Sequence, residues 1–106
     1  ILAVAQAKPE ERYKGKIIDI IKRRIDLPHY KIFYFGSRVN GKGSERSDID
    51  IGIEGDSPIS LSVLNEIIDE LKGLPIMQKI DVVDFKSVDE SFKEVARQHM
   101  KVIYEK

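Results

Sequence analysis

Apolar residues recur along the chain with two different periods, and the switches between them mark out its elements. From Pro9 to about Leu27, Ile17, Ile18, Ile21 and Ile25 fall at near-helical spacing. Pro9 suits a first turn, and Glu10 and Glu11 suit the positive end of the helix dipole. Lys22, Arg23 and Arg24 suit its other end, and Pro28 stops the helix. Lys31-Ile32-Phe33-Tyr34-Phe35 is β-branched and aromatic and ends at Gly36, as a buried strand does. Ser37 to Asn40 fits a short helical turn, followed by a loop from Gly41 to Arg46. From Asp48 to Glu54 the period is strictly two, with Ile49, Ile51 and Ile53 on one face.

Beyond the turn at Gly55-Asp56-Ser57-Pro58 the helical period returns. Leu61, Leu64, Ile68 and Leu71 predict a second helix, closed by Gly73 and Pro75. Lys79 to Phe85 predicts a third strand. Ser87-Val88-Asp89-Glu90 matches a capping box, which starts a third helix at Ser87 with Phe92, Val95 and Ala96 inward. Met100 to Tyr104 fits either a continuation of that helix or a short final strand. The predicted class is α/β (α+β): a small mixed sheet of three or four strands covered by helices.

Composition narrows this picture. The 106 residues, 42% hydrophobic and 34% charged, support one soluble domain over 9–106, with 1–8 as an N-terminal extension free to flex. The chain opens on Ile1 rather than Met, as a processed or incomplete start would. No apolar run approaches a membrane span, and Ile1 to Ala5 is too short for a signal peptide. The lack of cysteine excludes disulfides and thiolate metal sites and suits a cytoplasmic protein. The net charge is zero but polarised, with 11 Lys/Arg against 5 Asp/Glu up to Arg46, and 7 against 13 from Ser47. Direct nucleic-acid binding is not expected, because the basic first helix carries no interleaved aromatics.

The candidate chemistry lies between Phe35 and Ile51. Asp48 and Asp50 stand at i, i+2, so a strand points both to one side. An exposed polar face is the plain alternative for such a pair. Strands disfavour aspartate, however, and two carboxylates held together call for a cation. Mg²⁺ binds through one or two carboxylates plus substrate phosphates, and a pair of such ions can clamp both oxygens of a phosphoryl-type displacement. Gly36-Ser37 ends the preceding strand at a helix start, where free amides can hold a phosphate. Asp81 or Asp84 can supply a third carboxylate, but only one of them, because residues three apart face opposite ways. His29 and His99 lie outside any ligand spacing, and Tyr30 and Tyr34 read as packing.

Gly36-Ser37-Arg38, Gly41 and Ser47-Asp48-Ile49-Asp50 together resemble the signature of the DNA-polymerase-β-like nucleotidyltransferase superfamily, and most of all its minimal, antitoxin-type group. The resemblance spans about Ile17 to Tyr104. It implies a polymerase-β-like fold, with Asp48, Asp50 and Asp81 as catalytic residues and ligands of two Mg²⁺ ions; Ile80-Asp81-Val82 matches the expected apolar-Asp-apolar setting best. It implies that Gly36, Ser37, Arg38 and Ser47 contact the phosphates of ATP. It further implies transfer of AMP to a hydroxyl, a tyrosine on a small helical HEPN-type toxin, within a hetero- or homo-oligomer. A domain this short has no second lobe to hold an acceptor, which disfavours small-molecule acceptors. The alternative is a partner that neutralises such a toxin by contact alone, with catalysis absent or secondary.

Overall fold

A computed structural model describes residues 8–106. Apart from Lys8, the expected N-terminal extension lies outside the described residues. The elements, in order, are α1 (Pro9–Arg12), α2 (Lys14–Arg24), β1 (Tyr30–Phe35), α3 (Ser37–Asn40), β2 (Ile49–Gly55), α4 (Leu61–Lys72), β3 (Ile80–Asp84), α5 (Glu90–Arg97) and β4 (Met100–Glu105). The strands form one sheet in the order β3-β2-β1-β4. β1 is antiparallel to β2 and to β4, while β2 and β3 are parallel. The parallel pair requires a long crossover, which α4 provides. The sheet is mixed and four-stranded, and the final segment is a strand.

Period two sorts β1 and β2 between two cores. Ile32, Tyr34, Ile49, Ile51 and Ile53 face α2 and α4, where Ile17, Ile20, Ile21, Ile67 and Leu71 complete an aliphatic cluster. Phe33, Phe35 and Phe85 face the other way and pack with Ala96 of α5. Phe33 and Phe85 meet edge to face at 4.7 Å between centroids. Gly52 makes room for them, since a Cβ there would overlap the Phe33 ring and lie 2.8 Å from the Phe85 ring.

Four local expectations change. The first helix is divided at Tyr13, a turn residue between α1 and α2. The buried stripe of α4 is centred on Ile67 and Leu71, while Leu61 in its first turn is 73% exposed. The cap of α5 is Asp89, whose carboxylate accepts from the Phe92 amide at 2.9 Å, and not Ser87. Ser87 instead donates to Asp84 Oδ2 at 2.9 Å. The buried side of α5 is the one that carries Lys93 and Ala96. Val95 is therefore 68% exposed rather than inward, and Phe92 is only partly covered, against Phe35 and Phe85. Among the described residues no helix is long and apolar enough to cross a membrane.

Candidate active site

β1 leaves the sheet at Gly36, and the chain returns through α3 and a loop to enter β2 at Ile49. Two constraints converge on Gly36. Its φ is +83°, a conformation side chains rarely adopt, and a Cβ on it would overlap the Asp50 carboxylate. Asp50 thus rests its carboxylate against bare backbone at the start of α3. The amides of Ser37 and Arg38 belong to the open first turn of that helix, where no intrahelical acceptor exists.

The parallel register pairs Asp50 directly with Asp81, so these two carboxylates come from adjacent strands on one face. Asp48 is exposed and immediately precedes β2. Partial burial pushes the Asp50 pKa above the ordinary carboxylate value, and the charges of Asp81 and Asp48 push the same way while Lys79 opposes them. All three carboxylates therefore act in one electrostatic neighbourhood. Lys79 Nζ stands 3.5 Å from Asp81 Oδ1 at the entrance to β3.

Asp84 is elsewhere. It is buried on the opposite side of β3, and its carboxylate accepts from the amides of Ile59 and Lys86 and from the Ser87 hydroxyl. Those bonds occupy it with tying β3 to two loops.

Arg38 and Ser47 are turned toward the loop itself. The Arg38 guanidinium holds both oxygens of Glu10, and its Nη1 donates to the carbonyls of Ser44, Glu45 and Ser47. The Ser47 hydroxyl accepts from the Ser44 amide at 2.8 Å. Gly43 packs its amide on the Ser37 carbonyl at 3.0 Å, and a side chain there would crowd Ser37 and Ser47. Gln78 reaches over from the approach to β3 to donate to the Glu45 carbonyl.

Two cavities border Phe35, where β1 runs into this turn. One, of about 380 Å³, is bordered by Glu10, Arg38, Ile49, Asp50 and Lys101. The other, of about 340 Å³, runs from Gly36 and Lys42 to Phe92 and His99. Among the described residues no three carboxylates or imidazoles are gathered into a ready-made metal cage. The donor set nevertheless suits Mg²⁺: it is all oxygen, it is repulsive without a cation, and Mg²⁺ completes its shell with substrate phosphates and water rather than protein.

Sequence reasoning missed two neighbours of the site. Glu10 read only as a residue favourable to a helix dipole, and nothing in the sequence links it to Arg38. Lys79 read as an ordinary strand residue; a lysine two positions before a candidate acid is the signal that was available.

The family model described as polymerase beta, nucleotidyltransferase, matches residues 15–106. A probable protein adenylyltransferase, MntA, of Haemophilus influenzae is 30% identical over 95 residues, covering 88% of this chain and 83% of that protein. A toxin–antitoxin crystal structure with AMP-PNP superposes with a TM-score of 0.72 at 23% identity, over 86% of this chain and 72% of that one. A complex of the tri-AMPylated Shewanella oneidensis HEPN toxin with its MNT antitoxin gives 0.69 at 20% identity, over 90% and 71%. At these identities the two structures establish likeness of fold.

Proposed function

The chain belongs to the polymerase beta nucleotidyltransferase family, and from that premise we propose that it transfers AMP from ATP to a tyrosine hydroxyl of a small helical HEPN-type toxin in the cytoplasm. The observation that carries this reading is the register that sets Asp50 against Asp81, with Asp48 one residue ahead of β2. Asp48, Asp50 and Asp81 would hold two Mg²⁺ ions. Bound there, the metal would neutralise the triphosphate and the charge developing at the α-phosphorus.

The chain's own residues do the rest. The turn at Gly36 and Ser37 offers backbone amides to the phosphates, and Gly36 keeps that backbone close to Asp50. The acceptor oxygen attacks the α-phosphorus, the bond to the β-phosphate oxygen breaks, and pyrophosphate leaves. Asp81, half-exposed and beside Lys79, takes the hydroxyl proton. Arg38 and Ser47 shape the loop from within, and their part in phosphate contact is indirect. Catalysis of this kind rests on positioning and charge rather than covalent chemistry. The acceptor-bearing partner is supported by the name of the Haemophilus relative and by the toxin complexes of the same fold.

The test is label transfer to the purified partner. Label from α-labelled ATP should move to it and label from γ-labelled ATP should not. Asp48→Asn with Asp50→Asn should abolish the transfer while far-ultraviolet circular dichroism stays unchanged. Undiminished transfer by the double variant would remove the site assignment.

A further inference from the structure

One buried ion pair joins a segment outside the family-matched residues 15–106 to the loop that leads into Asp48. The side chains of Arg38 and Glu10 are only 8% and 9% exposed. Arg38 Nε donates to Glu10 Oε2 and Nη2 to Oε1, each at 2.9 Å. This two-pronged pairing fixes the plane of the guanidinium. The remaining nitrogen, Nη1, then points at three carbonyls: Ser44 at 3.2 Å, Glu45 at 3.2 Å and Ser47 at 3.0 Å. Residues 41–46 are exposed, so the loop has little packing of its own to hold it.

Glu10 is itself anchored. The buried Tyr34 hydroxyl donates to its carbonyl, and its neighbour Glu11 pairs with Lys101 of β4 at 2.7 Å. Pro9 presets the backbone at the start of α1. The line of contact runs from β1 and β4 through α1 to Arg38, and from Arg38 to the loop. Without Glu10 the guanidinium would be a buried cation facing only carbonyl dipoles, with nothing to set its plane.

We propose that Glu10 is a positioning residue for the nucleotidyl transfer: it orients Arg38 so that one guanidinium nitrogen gathers the Ser44, Glu45 and Ser47 carbonyls and sets Asp48, the next residue, beside Asp50. It acts through Arg38 and touches no substrate. α1, though outside the matched family residues, is then part of the working domain. The rate arm of this inference rests on the transferase reading; the loop arm does not.

Both arms use the full chain carrying Glu10→Gln, Glu10→Asp or Arg38→Lys. Glutamine keeps the shape but offers a donor where an acceptor is needed. Aspartate keeps the charge but is one methylene too short, and serves if the glutamine variant fails to fold. Lysine keeps the charge pair with a single nitrogen, which cannot span the carboxylate and the carbonyls together. By hydrogen–deuterium exchange, amides of residues 41–48 should exchange about tenfold faster in each variant, with residues 30–35 at wild-type rates. The kcat for AMP transfer should fall about 10²-fold, while KM for ATP moves by less than about threefold. Unchanged loop exchange would overturn the proposal. So would a loosened loop with wild-type kcat, or uniformly faster exchange across all strands, which would make Glu10 a general fastener. A wild-type protein that transfers no label would defeat the transferase reading instead, and the exchange result would still decide whether Glu10 sets the loop.

Discussion

The two faces of the sheet are built on opposite principles. One is sealed: α2 and α4 cover it, and its lining is nearly all isoleucine and leucine with Tyr30 and Tyr34. The other is half sealed: α5 covers the phenylalanines, and the strand positions nearest Gly36 carry Asp50 and Asp81. On the first face a carboxylate is tolerated only where protein donors replace water, as at Asp84, which accepts from the Ile59 and Lys86 amides and the Ser87 hydroxyl. On the second it is held rigidly by a strand while one side remains wet. The sealed face keeps the strands in place, and the open face uses that rigidity to hold like charges together.

The sharpest way to break this comparison is the pair Asp81 and Asp84, three residues apart on opposite faces of β3. Asp81→Asn should lower AMP transfer by about 10²–10⁴-fold with little change in stability, because its side chain is half-exposed and, among the described residues, is paired only with Lys79. Asp84→Ala should cost about 2–4 kcal/mol, since it strands two amides and a hydroxyl in a part-buried setting. Its kcat per folded molecule should stay near wild type. Denaturant unfolding and label transfer on both variants check this; the opposite assignment of effects would mean that β3 presents Asp84 to the site.

A smaller effect should come from Gly52→Ala, on the phenylalanine side of β2. The added methyl meets the rings of Phe33 and Phe85, and the overpacking should cost about 1–3 kcal/mol. Urea unfolding reads it directly, and a neutral result would mean that the aromatic cluster is loosely packed.

The smallest effect is electrostatic. Asp50 is held above the ordinary carboxylate pKa by burial and by Asp81 and Asp48. The folded chain therefore binds this proton more tightly than the unfolded one. Stability should fall as pH rises from the ordinary carboxylate value through the raised value, and level off beyond it. Thermal unfolding in the presence of a chelator should show that slope, and Asp50→Asn should flatten it. A slope that survives the substitution would have to come from another group.

These regions were not equally legible in the sequence. The strand and helix periods located β1, β2, β3 and α4 to within a residue or two, because alternation and near-helical spacing are local properties of burial on one face. The Asp48 and Asp50 pair was visible for a similar reason, because i, i+2 spacing is local, although β2 begins at Ile49 and takes in only Asp50. The boundary of α5 was not. Ser87 and Asp89 are both good caps, and the choice was made by Asp84, which takes the Ser87 hydroxyl. Tertiary packing likewise ended the ambiguity over residues 100–104, since only a neighbouring β1 edge turns that segment into a strand.

The sequence by itself determined the chemistry available to this protein: an isoleucine-rich core, a glycine turn after a strand, and a close pair of aspartates at the start of the next. Tertiary structure alone decided which of those groups meet. The register of two parallel strands brought Asp81, and not Asp84, beside Asp50. A bidentate pair across 28 residues of chain turned Arg38 away from a free phosphate clamp and into the fastening of a loop. Both outcomes depend on contacts between segments distant in sequence. Spacing along a chain fixes which side of an element a residue takes, and leaves open what stands opposite it.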